Sequence, residues 1–176
     1  MIKSFDRRIV TAATTVALGL VLTQAPASAA RFSMVYTCAV PILGDRGVQF
    51  DGTLTATPNR PTVGTFTRVD LHVSRLSLRP PVAVTSWTAV AVADVDVAGA
   101  QTGTFRLSGS GGPVAAYEPV TGDLAGGWVP RAIGVDRLRL AKVVLKVSTA
   151  PFGDVVVPCS PRDPRPVAET LTVFTR

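Results

Sequence analysis

The chain is poor in the residues that most often carry chemistry. It has one histidine, two cysteines and only two glutamates, Glu118 and Glu169. Two Cys and one His fall short of the four ligands of a structural zinc, so no metal site is expected. So few glutamates fit poorly with a carboxylate-based hydrolase. Basic residues never run to the five or more that mark a nucleic-acid patch. After residue 30 no apolar stretch approaches the roughly 20 residues needed to cross a bilayer, so no transmembrane anchor is expected. Helix-period apolar spacing is also missing beyond that point, whereas β-branched Val and Thr abound.

The first thirty residues, in contrast, are richly patterned. Lys3, Arg7 and Arg8 precede an uncharged, mostly apolar run, Ile9–Leu22, and the segment closes on Ala27-Ser28-Ala29-Ala30. A positive start, a short apolar run and a small-residue cleavage site describe a secretory signal peptide, expected as a helix that is cleaved after Ala29 or Ala30. This leaves residues 31–176 as one domain, long enough to bury a real core. The leader holds three of the 18 basic residues and one of the 12 acidic ones, so the mature chain carries a net charge of +4. That balance suits anionic surroundings such as cell-wall polymers, acidic glycans or lipid head groups.

In an oxidising compartment Cys38 and Cys159 allow one intramolecular pairing. Two buried free thiols or a bridge between chains are the alternatives. A bridge spanning nearly the whole domain stabilises by about 4–5 kcal/mol in the chain-entropy description.

Strand patterns fill the remainder. Val48, Phe50, Leu54 and Ala56 alternate with Gln49, Asp51, Thr53, Thr55 and Thr57, interrupted at Gly52. Apolar parity flips between Val69/Leu71/Val73 and Leu76/Leu78, and again between Leu138/Leu140 and Val143/Leu145/Val147. Each flip predicts a bulge or a strand crossing between sheets. Ser108–Pro113 reads as a flexible loop and Tyr117–Trp128 as irregular. Strands at roughly ten-residue spacing predict an all-β fold, an antiparallel immunoglobulin-like or Greek-key β-sandwich stapled by one disulfide.

Tyr36-Thr37-Cys38-Ala39-Val40-Pro41 with Gly44, the later Pro158-Cys159 and the closing Leu171-Thr172-Val173 resemble a family of secreted actinobacterial proteins, a domain of unknown function. The resemblance implies an exported β-sandwich-like domain and brings no catalytic residues.

Candidate chemistry is sparse. Asp70, His72 and Ser74 share one strand face, but i and i+2 side chains sit about 7 Å apart, too far for a direct relay. Asp94 and Asp96 straddle Val95, a pair able to serve as acid and base or to begin a calcium site, yet no further oxygen ligands lie nearby. Ser110 does not match a nucleophile elbow. Trp87, Tyr117, Trp128 and Phe152 lie near turn signals, where they cap the core or stack on sugars. Arg68, Arg75 and Arg79 occupy one strand region, and Arg137, Arg139, Lys142 and Lys146 another. Should those faces adjoin, they form a surface for an anionic ligand.

The reading is a secreted, non-enzymatic binding or structural module with no cofactor. A carrier holding an apolar ligand between its sheets and an extracellular hydrolase using His72, Asp94 and Asp96 are the rivals. N-terminal sequencing of the exported protein is expected to begin at Ala30 or Arg31, with both thiols refractory to alkylation. An intracellular precursor with two reactive thiols contradicts this.

Overall fold

The computed structural model describes residues 30–41, 43–97 and 101–176; the leader expected at residues 1–30 lies almost wholly outside them. Among these residues nine strands follow one another: β1 (Ala30–Val40), β2 (Gly44–Thr57), β3 (Thr67–Leu76), β4 (Val84–Val97), β5 (Thr102–Gly111), β6 (Val120–Trp128), β7 (Gly134–Thr149), β8 (Gly153–Pro161) and β9 (Glu169–Val173). There is no helix among the described residues.

The all-β, antiparallel and disulfide-linked parts of the sequence reading hold. The sequence pattern predicts two sheets; the hydrogen bonding runs through one. Its strand order is β4-β5-β6-β3-β2-β1-β8-β7-β9, and β4 also pairs with β7. Eight strands therefore close into a ring. β7 gives one edge to β4 and divides the other, pairing β9 along Gly134–Leu138 and β8 along Val143–Thr149.

The joints of the ring are unequal. β1 and β2 pair from Ala30↔Leu54 to Val40↔Gly44. β5 meets β6 only at Leu107↔Gly126 and Ser108↔Ala125. β1 meets β8 only from Tyr36↔Pro161 to Cys38↔Cys159. Each short seam has its own fastening. At β1–β8 the cysteines face each other directly and form the disulfide, both buried, with Cα atoms 4.0 Å apart. Beyond it, the Arg162 amide donates to the Val35 carbonyl at 2.9 Å.

At β5–β6 the fastening is an absence of side chains. A Cβ on Gly109 would lie 2.0 Å from the Asp123 carbonyl oxygen, and one on Gly126 would lie 2.1 Å from that of Arg106. Glycine lets the two backbones come this close. Trp87 presses its indole onto the neighbouring pair, with a Cβ on Gly111 or Gly122 falling 2.4 or 2.3 Å from the ring. Ser108–Gly111 is thus strand rather than loop, and Val120–Trp128 is strand rather than irregular. The glycines there serve close packing, not turning.

Both parity flips are bulges. Asp51 pairs with Arg75 and Gly52 with Val73, which leaves Ser74 as the extra residue of β3. On β7, Ala141 and Lys142 stand against the single residue Val92. The flips keep Leu76, Val143 and Leu145 pointing inwards, as Leu71, Leu138 and Leu140 do. Burial of each such side chain contributes about 1.5–3 kcal/mol. Tyr36 brings a polar group into this core. Its hydroxyl is buried without a partner, and desolvation pushes the phenol above its ordinary pKa against the opposing charge of Arg165.

Cys38→Ser is expected to lower the thermal midpoint by about 10 °C or more, because it frees the shorter-paired end of β1 from β8. Differential scanning calorimetry measures this; a shift of a degree or two means the bridge contributes little.

Candidate functional site

His72 does find a carboxylate, but not Asp70. It stands beside Asp123 in the β3–β6 ladder, and its Nδ1 lies 2.7 Å from Asp123 Oδ1. Asp70 is engaged by Arg68 at 2.8 Å, and the Ser74 hydroxyl donates to the Asp51 carbonyl. Both His72 and Asp123 are open to water, with side-chain exposures of 58% and 80%. Thr53 stands opposite His72 on its other side, across the β2–β3 ladder, and the His72–Asp123 pair lies open on the sheet face. The Asp94 and Asp96 side chains lie outside the described residues. Their backbone positions are on β4, separated from β3 by β5 and β6, so the three residues of the hydrolase reading do not come together.

The two basic stretches also stay apart. β3 and β7 are four places apart in an eight-strand ring and so face opposite ways. Arg68 is paired with Asp70, and Lys146 with Asp154 at 2.7 Å. The ladder places Arg139 opposite Asp94 and Arg137 opposite Asp96, positions of opposite charge. Arg75, Arg79 and Lys142 are exposed. Arg75 lies near Asp51, whose carboxyl is held below its ordinary pKa mainly by hydrogen bonds from Ser33 and Gln49. Arg68, Arg75 and Lys146 thus have acidic neighbours, which reduces the positive character of these two faces.

The interior is filled. A cavity of about 20 Å³ lies between Trp87, Phe50, Leu76, Val120 and Leu145. This apolar space has room for about one water-sized sphere, so it holds no acyl chain. The aromatics divide accordingly. Trp87 belongs to the core, Trp128 stacks on Phe105 with ring centres 6.4 Å apart, and Tyr117 and Phe152 are exposed.

A different region stands out, at the end of the ring where β2 turns into β3, β6 into β7, and β9 finishes. Backbone hydrogen bonds stitch its three segments together. The Gly64 amide donates to the Pro130 carbonyl at 2.8 Å, Val63 to Phe174 at 3.0 Å, and Phe174 to Pro61 at 2.9 Å. An open groove of about 490 Å³ runs between them, lined by Val63, Arg131, Ala132, Ile133, Thr175 and Arg176. Arg60 lies over the Phe174 ring at 4.6 Å. Segments 58–66, 129–133 and 174–176 contain these three arginines and no Asp or Glu.

Behind the groove sits a buried carboxyl. Asp136 faces inwards with Leu138 and Leu140 and is fully shielded from solvent. Its Oδ2 accepts a hydrogen bond from Gln101 at 2.8 Å, and the Gln101 carbonyl in turn accepts from the Arg131 amide at 2.9 Å. Oδ1 has no partner. Desolvation pushes the carboxyl up to about 6, against the Gln101 hydrogen bond that favours its charged form. Sequence reasoning missed this residue, although its inward parity with Leu138 was the available signal.

No protein-family model matches the chain, and no curated protein matches it.

The folded state binds a proton at Asp136 that the unfolded chain has already released between about pH 4 and 6. Stability from this group is full below pH 4 and falls as pH rises through about 6, by on the order of 2 kcal/mol. Urea titrations at pH 4.5 and pH 7 are expected to show that loss in the parent and its absence in Asp136→Asn. Equal slopes with pH in both proteins refute the assignment.

Proposed function

We propose that this chain is an exported, non-enzymatic binding module that acts at the cell surface or in the medium on an anionic component of the cell envelope. The observation that carries this reading is the end of the ring where Arg131 and Arg176 line a groove, Arg60 lies over the nearby Phe174 ring, and the three segments contain no carboxylate side chain. A cluster whose charged side chains are all of one sign attracts the opposite sign and sets the orientation of approach. Elsewhere on the described surface, Arg68 and Lys146 already have acidic partners.

Several features support export. The leader pattern ends at a small-residue cleavage site, and the domain is closed by a buried disulfide, a bond that persists in oxidising compartments. No helix among the described residues is long and apolar enough to cross a membrane. We read the ring as a flattened sandwich, with β6-β3-β2-β1 and β8-β7-β4-β5 as its two faces and the short seams as its corners. Membership of the secreted actinobacterial group is likewise our reading of the motif from Tyr36 to Gly44.

The filled interior favours contact through the outside of the molecule over enclosure of a ligand. The protein is expected to be retained by purified cell envelopes at low salt, and to be released as ionic strength screens the arginines. Arg60→Gln with Arg131→Gln weakens retention, whereas Arg75→Gln with Arg79→Gln leaves it nearly unchanged. No retention at any salt, or equal loss in both double variants, overturns the proposal.

A further inference from the structure

Charge alone does not account for the groove end. Phe66, Val129 and Ile133 project there with exposures of 62%, 40% and 56%. A soluble polyanion makes no use of three large apolar side chains held in water. Their presence among cationic side chains is the pattern of a surface that enters the head-group layer of a membrane, apolar groups leading and arginines level with the phosphates.

The arrangement is built rather than accidental. The Phe66 ring lies against Gly127, where a Cβ would be 2.0 Å from the ring, so a side chain there would make the ring swing away. Ile133 lines the groove beside Arg131, whose amide is held by Gln101. Pro61 and Pro130 are buried beneath the segments they interrupt. Apolar tips and guanidinium groups therefore sit on a stitched backbone, and little order has to be gained on binding.

The opposite end of the ring differs. Leu43, Tyr117 and Phe152 are also exposed there, but Asp45, Glu118 and Asp154 lie among them or close by on the adjoining strands. That end mixes these carboxylates with Arg46 and Arg79, whereas the charged side chains of the three groove segments are arginines alone, and the contrast gives the molecule a direction.

Resting on the binding reading above, we infer that the end bearing Phe66, Val129, Ile133, Arg60, Arg131 and Arg176 docks on an anionic lipid bilayer. The apolar side chains enter the interface and the arginines contact lipid phosphates. The groove between Val63, Ile133 and Arg131 accommodates the upper part of an acyl chain.

Flotation of the full mature protein with vesicles tests this. Vesicles of phosphatidylglycerol and phosphatidylcholine are expected to carry the protein, and pure phosphatidylcholine at least tenfold less. Each arginine changed to glutamine lowers partitioning about fivefold. Phe66→Ser with Ile133→Ser lowers it at least tenfold but keeps the salt-sensitive retention on lipid-free cell-wall polymer. In Phe66→Trp, brominated phosphatidylglycerol quenches the new fluorophore, a readout independent of whether the serine variant folds. Equal binding to both vesicle types, parental binding by the serine variant or unquenched emission from the introduced indole of Phe66→Trp overturns the inference. So does self-association in sedimentation that the serine variant abolishes, because the apolar tips then meet a second copy. Binding to wall polymer without vesicle binding refutes the lipid partner and leaves the broader reading standing; binding to neither refutes both.

Discussion

Everything in this molecule depends on closing the ring at two places where strands barely touch. A β-sheet with free edges presents unpaired amides and carbonyls that invite other chains. Here the edges of β1 and β8 meet over three residue pairs, and those of β5 and β6 over two. The first seam is secured covalently at Cys38 and Cys159, the second by glycines that let the backbones approach. Opening either seam would expose the apolar interior along its whole height. The two solutions are chemically unrelated and meet the same geometric demand.

Regular alternation made much of the fold legible. The β2 pattern from Val48 to Thr57 gave both a strand and its buried face, and the parity flips in β3 and β7 marked true bulges. The cysteine pair needed only a count and a compartment. What failed to show was whatever depends on a distant neighbour. Gly109 and Gly111 read as loop, and Gly122 and Gly126 as irregular, because propensity treats glycine as a breaker, whereas their reason lies in Trp87 and in the backbone across the seam. Asp123 beside His72 was invisible for the same cause, since the β3–β6 ladder joins residues 51 positions apart.

The candidate site shows that limit most clearly. Arg60, Arg131 and Arg176 are isolated in sequence, each among small or apolar residues, and nothing local connects them. The ring brings their segments to one end, while it sends the more conspicuous basic stretches of β3 and β7 to opposite sides. Clustering along the chain was therefore a poor guide to clustering in space. The buried Asp136 adds a second layer: a costly desolvated carboxyl holds Gln101, and Gln101 holds the Arg131 backbone.

The pairing of β1 with β8 has a consequence for how the chain reaches this state. Synthesis delivers the N-terminal strand first, and the residues that complete its second edge come more than a hundred positions later. Hairpins such as β1–β2 assemble from neighbours as they appear, but the circle stays open until almost the last segment arrives. Contacts this distant in sequence make for slow, late-committing folding. During that wait the earliest strand carries an unsatisfied edge, and its protection falls to whatever accompanies the nascent polypeptide.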